Sequence, residues 1–200
     1  MSATAAQLEL PIQETPYDFG AIFGNTHPVE LEVGIGKGRF LIQSAETRPG
    51  TNFVGIEWAR AYHLMAMERA GKRALTNIRF LRDDALHTFK LALAPQSLSA
   101  LHVYFPDPWP KTRQRKRRLI QPAFVDLAVK ALKDDSLIHL ATDHADYFAQ
   151  MEAVMNGHKQ IEVIERHAGS EAPEGVTNYE VKYRQEGRTI HKMVCRTKRM

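Results

Sequence analysis

The stretch Leu101-His102-Val103-Tyr104-Phe105-Pro106-Asp107-Pro108-Trp109-Pro110-Lys111 reads as a buried strand running into a stiff turn. The apolar run through Phe105 suits a strand. Asp107 is held between two prolines, each with a fixed φ and no N–H, so it fits neither a helix interior nor a central strand. It is expected to project from the carboxyl end of that strand, where open α/β sheets place their ligands. Lys111, Arg113, Arg115, Lys116, Arg117 and Arg118 follow with no acid among them. A rigid acidic loop beside dense positive charge points to chemistry performed on nucleic acid.

The flanking sequence supplies the rest of an α/β pattern. Strands are expected at Val29–Val33, Asn52–Ile56, Ile78–Leu81, Ala100–Phe105, Ser136–Ala141 and Ile161–Ile164, with a last strand in the tail after Arg188. Helical periodicity falls at Arg39–Glu46, Arg60–Ala70, Ala85–Leu93, Pro122–Leu132 and Asp146–Met155. Residues 166–176 read as a loop with Gly and Pro. Strands alternating with helices predict a mostly parallel, seven-stranded sheet covered on both faces. The last two strands have no strong helix between them and are expected to pair antiparallel. Residues 1–28 read as a short, partly flexible leader, and 29–200 as a single domain.

The chain has 200 residues and a formal net charge of +4. That charge is unevenly placed: residues 111–118 carry +6 and residues 181–200 carry +6, which leaves −8 for the remainder. An acidic body with two basic segments suits a polyanionic partner met on one face. Cys195 is the only cysteine, so no intrachain disulfide forms, and a half-buried place on the last strand is its expected role. No apolar run has the length of a membrane span, and Met1–Leu10 lacks the features of a signal peptide. A cytoplasmic protein is expected. The nine histidines show no ligand spacing and one cysteine completes no zinc site, so no metal is expected. His102 and His139 read as satisfied core groups.

Leu31-Glu32-Val33-Gly34-Ile35-Gly36-Lys37-Gly38 places a glycine turn directly after the first strand. It lacks the Gly-Lys-Ser/Thr of a P-loop, and Arg39 breaks the dinucleotide pattern. Three acids sharpen it. Glu32 precedes Gly34, Gly36 and Gly38; Glu57 ends the second strand, at the spacing of a ribose-binding acid; Asp84 follows the third. A pyrophosphate would be repelled by a carboxylate beside the loop. S-adenosylmethionine carries an ammonium, a ribose and an adenine but no phosphate, and accepts all three acids. Each acid also has a plainer reading. Glu57 can cap the helix near Arg60, Asp84 or Asp83 can cap the helix from Ala85, and Glu32 can pair with a neighbouring Lys or Arg. Trp58 reads equally as an adenine platform or a core side chain.

With these residues in place, the chain resembles the bacterial tRNA (guanine-N7-)-methyltransferases of the TrmB type, from about Val29 to the C-terminus. The resemblance is carried by the glycine turn, Gly55-Ile56-Glu57, Asp84-Ala85, Phe105 to Lys111, Lys116-Arg117-Arg118, Ala141-Thr142-Asp143 with Tyr147, and Thr177-Asn178-Tyr179-Glu180. It implies a Rossmann-like class I methyltransferase fold that uses S-adenosylmethionine. It also implies cofactor contacts from Glu32, Glu57, Asp84 and Asp107. Substrate contacts are implied for Lys111, Asp143, Thr177, Asn178, Tyr179 and Glu180, and the implied target is a guanine in the tRNA variable region.

The chemistry agrees. Guanine nitrogen-7 has a free in-plane lone pair and needs no general base. What remains is alignment and electrostatics, with Asp107 as the candidate carboxylate near a ring that turns cationic. Asp143, at the next strand end, is a second candidate for selecting guanine. The nitrogen-7 edge is unreadable in the narrow major groove of A-form RNA, so the target base must lie in a loop or leave its stack. Arg113, Arg115, Lys116, Arg117 and Arg118 are expected to hold phosphates. Three other readings compete: a methyltransferase of an exocyclic base amine, a non-catalytic RNA-binding subunit, and a nicotinamide-dependent reductase. No protein partner is required by the sequence.

Overall fold

A computed structural model describes residues 5–169 and 177–198. In chain order the elements are α1 (Ala5–Leu8), β1 (Glu9–Leu10), α2 (Phe19–Phe23), β2 (Val29–Val33), α3 (Arg39–Thr47), β3 (Asn52–Ile56), α4 (Arg60–Gly71), β4 (Ile78–Leu81), α5 (Ala85–Leu91) and β5 (Leu98–Tyr104). A 3₁₀ turn (Thr112–Arg117), α6 (Pro122–Ala131), β6 (Leu132–Thr142), α7 (Ala145–Gly157), β7 (Ile161–Gly169), α8 (Asn178–Gln185) and β8 (Ile190–Thr197) complete the chain.

The sheet order is β1-β4-β3-β2-β5-β6-β8-β7. All pairs from β1 to β6 are parallel, and β8 inserts antiparallel between β6 and β7. This is the expected Rossmann-like arrangement with an antiparallel C-terminal strand. The central strands are buried on both faces, as parallel strands under helices must be. Phe53 of β3 and Ile78 and Phe80 of β4 pack with Leu41, Ala66 and Met67 beneath α3 and α4. Val54, Ile56 and Leu81 face the larger core under α5, α6 and α7, with Phe89, Phe124 and Met151. Among the described residues no helix is long and apolar enough to cross a membrane.

Three expectations change. The sheet has eight strands, because Glu9 and Leu10 pair with Phe80 and Leu81 of β4. A two-residue strand carries no periodicity to read, yet Leu8, Leu10, Tyr17 and Phe19 from the segment read as a leader are all buried. Strand β7 continues to Gly169 through residues read as loop, because β8 pairs with it as far as Gly169↔Ile190; residues 170–176 lie outside the described residues. A helix, α8, stands between the last two strands; Thr177 caps it by accepting from the Glu180 N–H at 3.0 Å.

His102 is a buried, hydrogen-bonded core group as expected, whereas His139 is only half-buried and is held by its ring contact. Their rings stack at 4.8 Å. His102 also bridges Glu30 through Nε2 (3.0 Å) and the Tyr104 hydroxyl through Nδ1 (2.9 Å). Burial depresses both, His139 to about 4, so the pair stays neutral. Cys195 is fully buried in β8, which pushes its thiol up to about 12.

Candidate functional site

The site forms where β2, β3, β4 and β5 end. The turn after β2 needs left-handed backbone at Gly34, Gly36 and Gly38, with φ of 74°, 52° and 71°. At Gly38 a second constraint applies: an added Cβ would sit 2.9 Å from the Ala66 Cβ of α4. Gly38→Ala is therefore expected to cost about 2 kcal/mol of unfolding free energy, read from urea denaturation.

Glu57, at the end of β3, accepts from the Gly36 N–H and from the Ala59 N–H, both at 2.8 Å. One carboxylate thus braces both the glycine turn and the backbone leading into α4; that helix has no side-chain cap, so Glu57 does not fill the capping role the sequence offered. Its remaining lone pairs face a cleft of about 580 Å³. Trp58 lies on that cleft and is 73% exposed, so it is no core side chain. Past β4 the two aspartates divide their work. Asp84 caps α5 by accepting from the His87 N–H at 3.1 Å. Asp83 is buried and accepts from His87 Nδ1 (2.7 Å) and the Thr88 hydroxyl (2.8 Å). Both line the cleft.

The proline-rich turn follows β5. Its ends are strained: Phe105 has φ of 53° and Trp109 has φ of 41°, values that L residues with side chains avoid. The turn is held by Arg118, whose side chain is 1% exposed. Its guanidinium donates to the Pro108 carbonyl (2.8 Å), to Gln150 Oε1 (2.9 Å) and to Asp146, and lies over the Tyr147 ring. The Tyr147 hydroxyl in turn accepts from the Ile120 N–H at 3.0 Å. Asp107 is exposed on the cleft and makes no hydrogen bond or ion pair with any described residue.

Arg118 therefore corrects the sequence expectation. It stands in a basic run but points inward, buried and bonded through Nε, Nη1 and Nη2, so its guanidinium is not presented to a phosphate. Arg115 is partly committed, pairing with Asp146 at 3.0 Å. Lys111, Arg113, Lys116 and Arg117 are exposed, and Arg117 stacks over Trp109 at 5.0 Å.

A second cavity of about 300 Å³ adjoins the cleft at the glycine turn. The two share Gly34, Gly36, Tyr62, Tyr104 and Tyr179. Glu32 lines the smaller one, 2% exposed, with Oε2 lacking any partner. Burial, helped by the nearby Glu57 charge, lifts its carboxyl to about 8. The plainer sequence reading, a paired Glu32, does not hold. Thr177, Asn178 and Tyr179 line the same cavity from α8.

The two cavities thus collect Glu32, Gly34, Gly36, Glu57, Trp58, Asp84, Asp107, Arg117, Thr177, Asn178 and Tyr179. Gly38, Lys111, Asp143 and Glu180 line neither. Asp143 pairs with Arg188 at 2.7 Å. Glu180 is fully buried against Lys192 and Arg184, where it ties α8 to β8. Sequence reasoning missed Tyr62 and Tyr104. The signal for Tyr104 was its place as the last residue of β5, directly before Phe105-Pro106-Asp107.

Comparison with known proteins agrees with this geometry. The model of a family described as "Putative methyltransferase" matches residues 26–193. The tRNA (guanine-N(7)-)-methyltransferase of Bordetella pertussis is 42% identical over 148 residues, 74% of this chain and 58% of that protein. That of Nitrosomonas eutropha is 36% identical over 186 residues, 92% of this chain and 83% of that protein. The chain thus spans little more than half the length of the Bordetella protein. Among solved structures, the 16S rRNA methyltransferase KamB superposes with a TM-score of 0.69 at 14% identity, covering 94% of this chain and 97% of KamB. TrmN from Thermus thermophilus gives 0.64 at 17% identity, over 86% of this chain and 45% of TrmN. At such identities the structures speak for a shared fold. Sequence identity of 36–42% over most of the chain, together with the family-model match, makes it a member of the tRNA (guanine-N(7)-)-methyltransferase family.

Proposed function

We propose that the chain transfers the methyl group of S-adenosylmethionine to nitrogen-7 of a guanine in tRNA, yielding 7-methylguanosine and S-adenosylhomocysteine, and that it does so in the cytoplasm. The observation that carries this reading is Asp107: an unpaired carboxylate on a braced turn, in the same cleft as Glu57 and Asp84. The cofactor suits the donors present. Glu57 and Asp84 suit its ribose and adenine, Trp58 offers a stacking face, and the orphaned Glu32 oxygen suits its ammonium. Bound there, it supplies an electrophilic methyl on a sulfonium.

The protein's part is positioning and charge. The glycine turn lets backbone N–H groups approach closely, and Glu57 fixes that turn through Gly36. Asp107 faces the cleft where the guanine ring becomes cationic as nitrogen-7 is alkylated. It cannot bond nitrogen-7 while ionised, since both are acceptors; it accepts from guanine or cofactor N–H groups instead. Thr177, Asn178 and Tyr179, which line the adjoining cavity, suit contact with the nucleoside. Lys111, Asp143 and Glu180 are assigned to the substrate by family resemblance, and all three lie outside the cavities. Their contribution would be at the rim or through α8.

Incubation with methyl-labelled cofactor and bulk tRNA, followed by nucleoside analysis, tests the assignment. Label in 7-methylguanosine is expected. Label on an exocyclic amine of a base would replace this reading with the competing methyltransferase.

The exposed cations make a separate prediction. Replacing Arg113, Lys116 and Arg117 by alanine is expected to weaken tRNA binding and to reduce the slope of log affinity against log salt by about 2 to 3, at about 0.7–0.9 per phosphate contact. Filter binding across a salt series measures it, and an unchanged slope would remove these residues from the RNA interface.

A further inference from the structure

We propose that the tRNA strand is gripped on both sides of the cleft, and that the side away from the Lys111–Arg117 run is a rim built by Lys37, Arg39 and Arg69 with Tyr62 as its stacking face. This rests on the tRNA reading and adds a second contact surface to it. The need for one is geometric. A guanine that enters the cleft has left its stack, so its strand arrives on one side of the opening and departs on the other. Phosphates flank the opening on both sides. Arg113, Lys116 and Arg117 serve one of them. The 3₁₀ turn that carries them leads towards α6 and is tied to α7 by the Arg115–Asp146 pair, so it belongs to the helical layer on that face of the sheet.

Across the strand ends, the layer of α3 and α4 carries its own cations. Lys37 and Arg39 sit where the glycine turn enters α3; their side chains are exposed and make no hydrogen bond or ion pair with any described residue. Arg69 of α4 joins them by donating to the Lys37 carbonyl at 2.9 Å. That acceptor is neutral, so the bond leaves the charge of Arg69 uncompensated. The acid next to it in sequence, Glu68, is taken by Lys72 at 2.6 Å. Counted along the chain, these three cations disappear into the remainder that sums to −8. The fold gathers them, because Gly38 lets the turn lie directly against Ala66 of α4.

The rim has an apolar part as well. Tyr62 and Met65 of α4 are exposed by 37% and 45%. They stand three residues apart, and Met65 and Arg69 four, so all three share one face of the helix. Tyr62 lines both the cleft and the smaller cavity, so this face runs outward from the opening. An exposed ring beside clustered cations is how single-strand sites are built: charge holds the phosphates, and a base stacks on the ring whatever its identity. The opposite rim has the same composition, with Arg117 lying 5.0 Å over the Trp109 ring.

Phosphate-ethylation interference on tRNA bound to the full chain tests the arrangement. With the parent protein, ethylation on either side of the target guanine is expected to block binding. In Lys37→Gln/Arg39→Gln the blocking positions on one side should vanish; in Arg113→Ala/Lys116→Ala/Arg117→Ala those on the other side should. The slope of log affinity against log salt should fall by about 1.4 to 1.8 in Lys37→Gln/Arg39→Gln, at about 0.7–0.9 per phosphate contact. Tyr62→Leu should weaken tRNA about tenfold with the slope unchanged, since it removes stacking and no charge. Calorimetry with S-adenosylhomocysteine and urea denaturation should give parent values for Lys37→Gln/Arg39→Gln. Loss of blocking positions on the same side in both multiple variants, or an unchanged slope in Lys37→Gln/Arg39→Gln, would overturn the second rim and leave the tRNA reading standing. An unchanged slope with weaker S-adenosylhomocysteine would overturn it too and give the two cations to the methyl donor. A parent protein that binds no tRNA at low salt would overturn the tRNA reading and the rim together.

Discussion

Asp107→Ala is expected to lower methyl transfer by about 100- to 1,000-fold while tRNA affinity and fold stability stay close to the parent values. The rate effect follows from where charge moves. The sulfonium loses its positive charge as the guanine ring gains one, so a carboxylate fixed beside the ring favours the transition state over the ground state. Removing a single preorganised electrostatic partner costs turnover on that scale. The stability side follows from the structure: the Asp107 carboxylate makes no hydrogen bond or ion pair with any described residue, so alanine deprives the fold of nothing. Changes at such positions usually stay within about 0.5 kcal/mol. RNA affinity is expected to come chiefly from phosphate contacts, to which an acid contributes no attraction. Single-turnover kinetics with saturating tRNA separates the two effects. Turnover within threefold of the parent would remove Asp107 from the reaction, and a parallel collapse of tRNA affinity would reassign it to substrate binding. Asp107→Asn keeps the shape and one acceptor but not the charge. It is expected to fall between the two, which separates charge from positioning.

The fold was legible where repetition carried it. The parallel strands β2 to β5 announced themselves as short apolar runs, and Glu32, Glu57, Asp84 and Asp107, the acids read at or just past their ends, all line one of the two cavities. What stayed hidden lacked a local pattern. Strand β1 is two residues long and exists because the β4 edge offers Phe80 and Leu81 as partners, a tertiary fact. Helix α8 has a weakly amphipathic sequence rich in charge; it is anchored by buried Glu180 pairing with Lys192, a residue twelve positions on in another element. The division of labour within the site was also invisible. Asp83 and Asp84 are adjacent and chemically identical, and only the direction in which the chain enters α5 makes one the cap and the other the buried partner of His87 and Thr88. Tyr62 and Tyr104 carry no motif. They matter because two elements bring them to the wall shared by both cavities.

Arg118→Lys is expected to destabilise the protein by about 3 kcal/mol and to lower methyl transfer as well, although lysine preserves the charge of the basic run. In sequence Arg118 is one of six cations between residues 111 and 118. In the fold it is the one whose planar donor set meets three acceptors at once: the Pro108 carbonyl, Gln150 and Asp146. A single ammonium on a flexible stem does not span those directions, nor does it stack flat on the Tyr147 ring. With lysine there, the Pro108 carbonyl and Gln150 lose buried partners, at about 1–3 kcal/mol each before relaxation. The exposed Asp146 carboxylate returns to water at little cost. The catalytic loss has a different origin. Phe105 and Trp109 sit in strained backbone that the surroundings must enforce, and the Pro108 bond is the tie inside that span. Once it is cut, the turn relaxes and Asp107 is no longer fixed in the cleft. Urea denaturation and turnover should therefore fall together in Arg118→Lys. In Arg117→Ala, by contrast, the midpoint should move by less than about 1 kcal/mol, since only a surface stacking contact with Trp109 is lost, while tRNA affinity drops. The opposite pattern, a stable Arg118→Lys that has lost only RNA affinity, would return Arg118 to the phosphate-binding set and leave the strained turn without its brace.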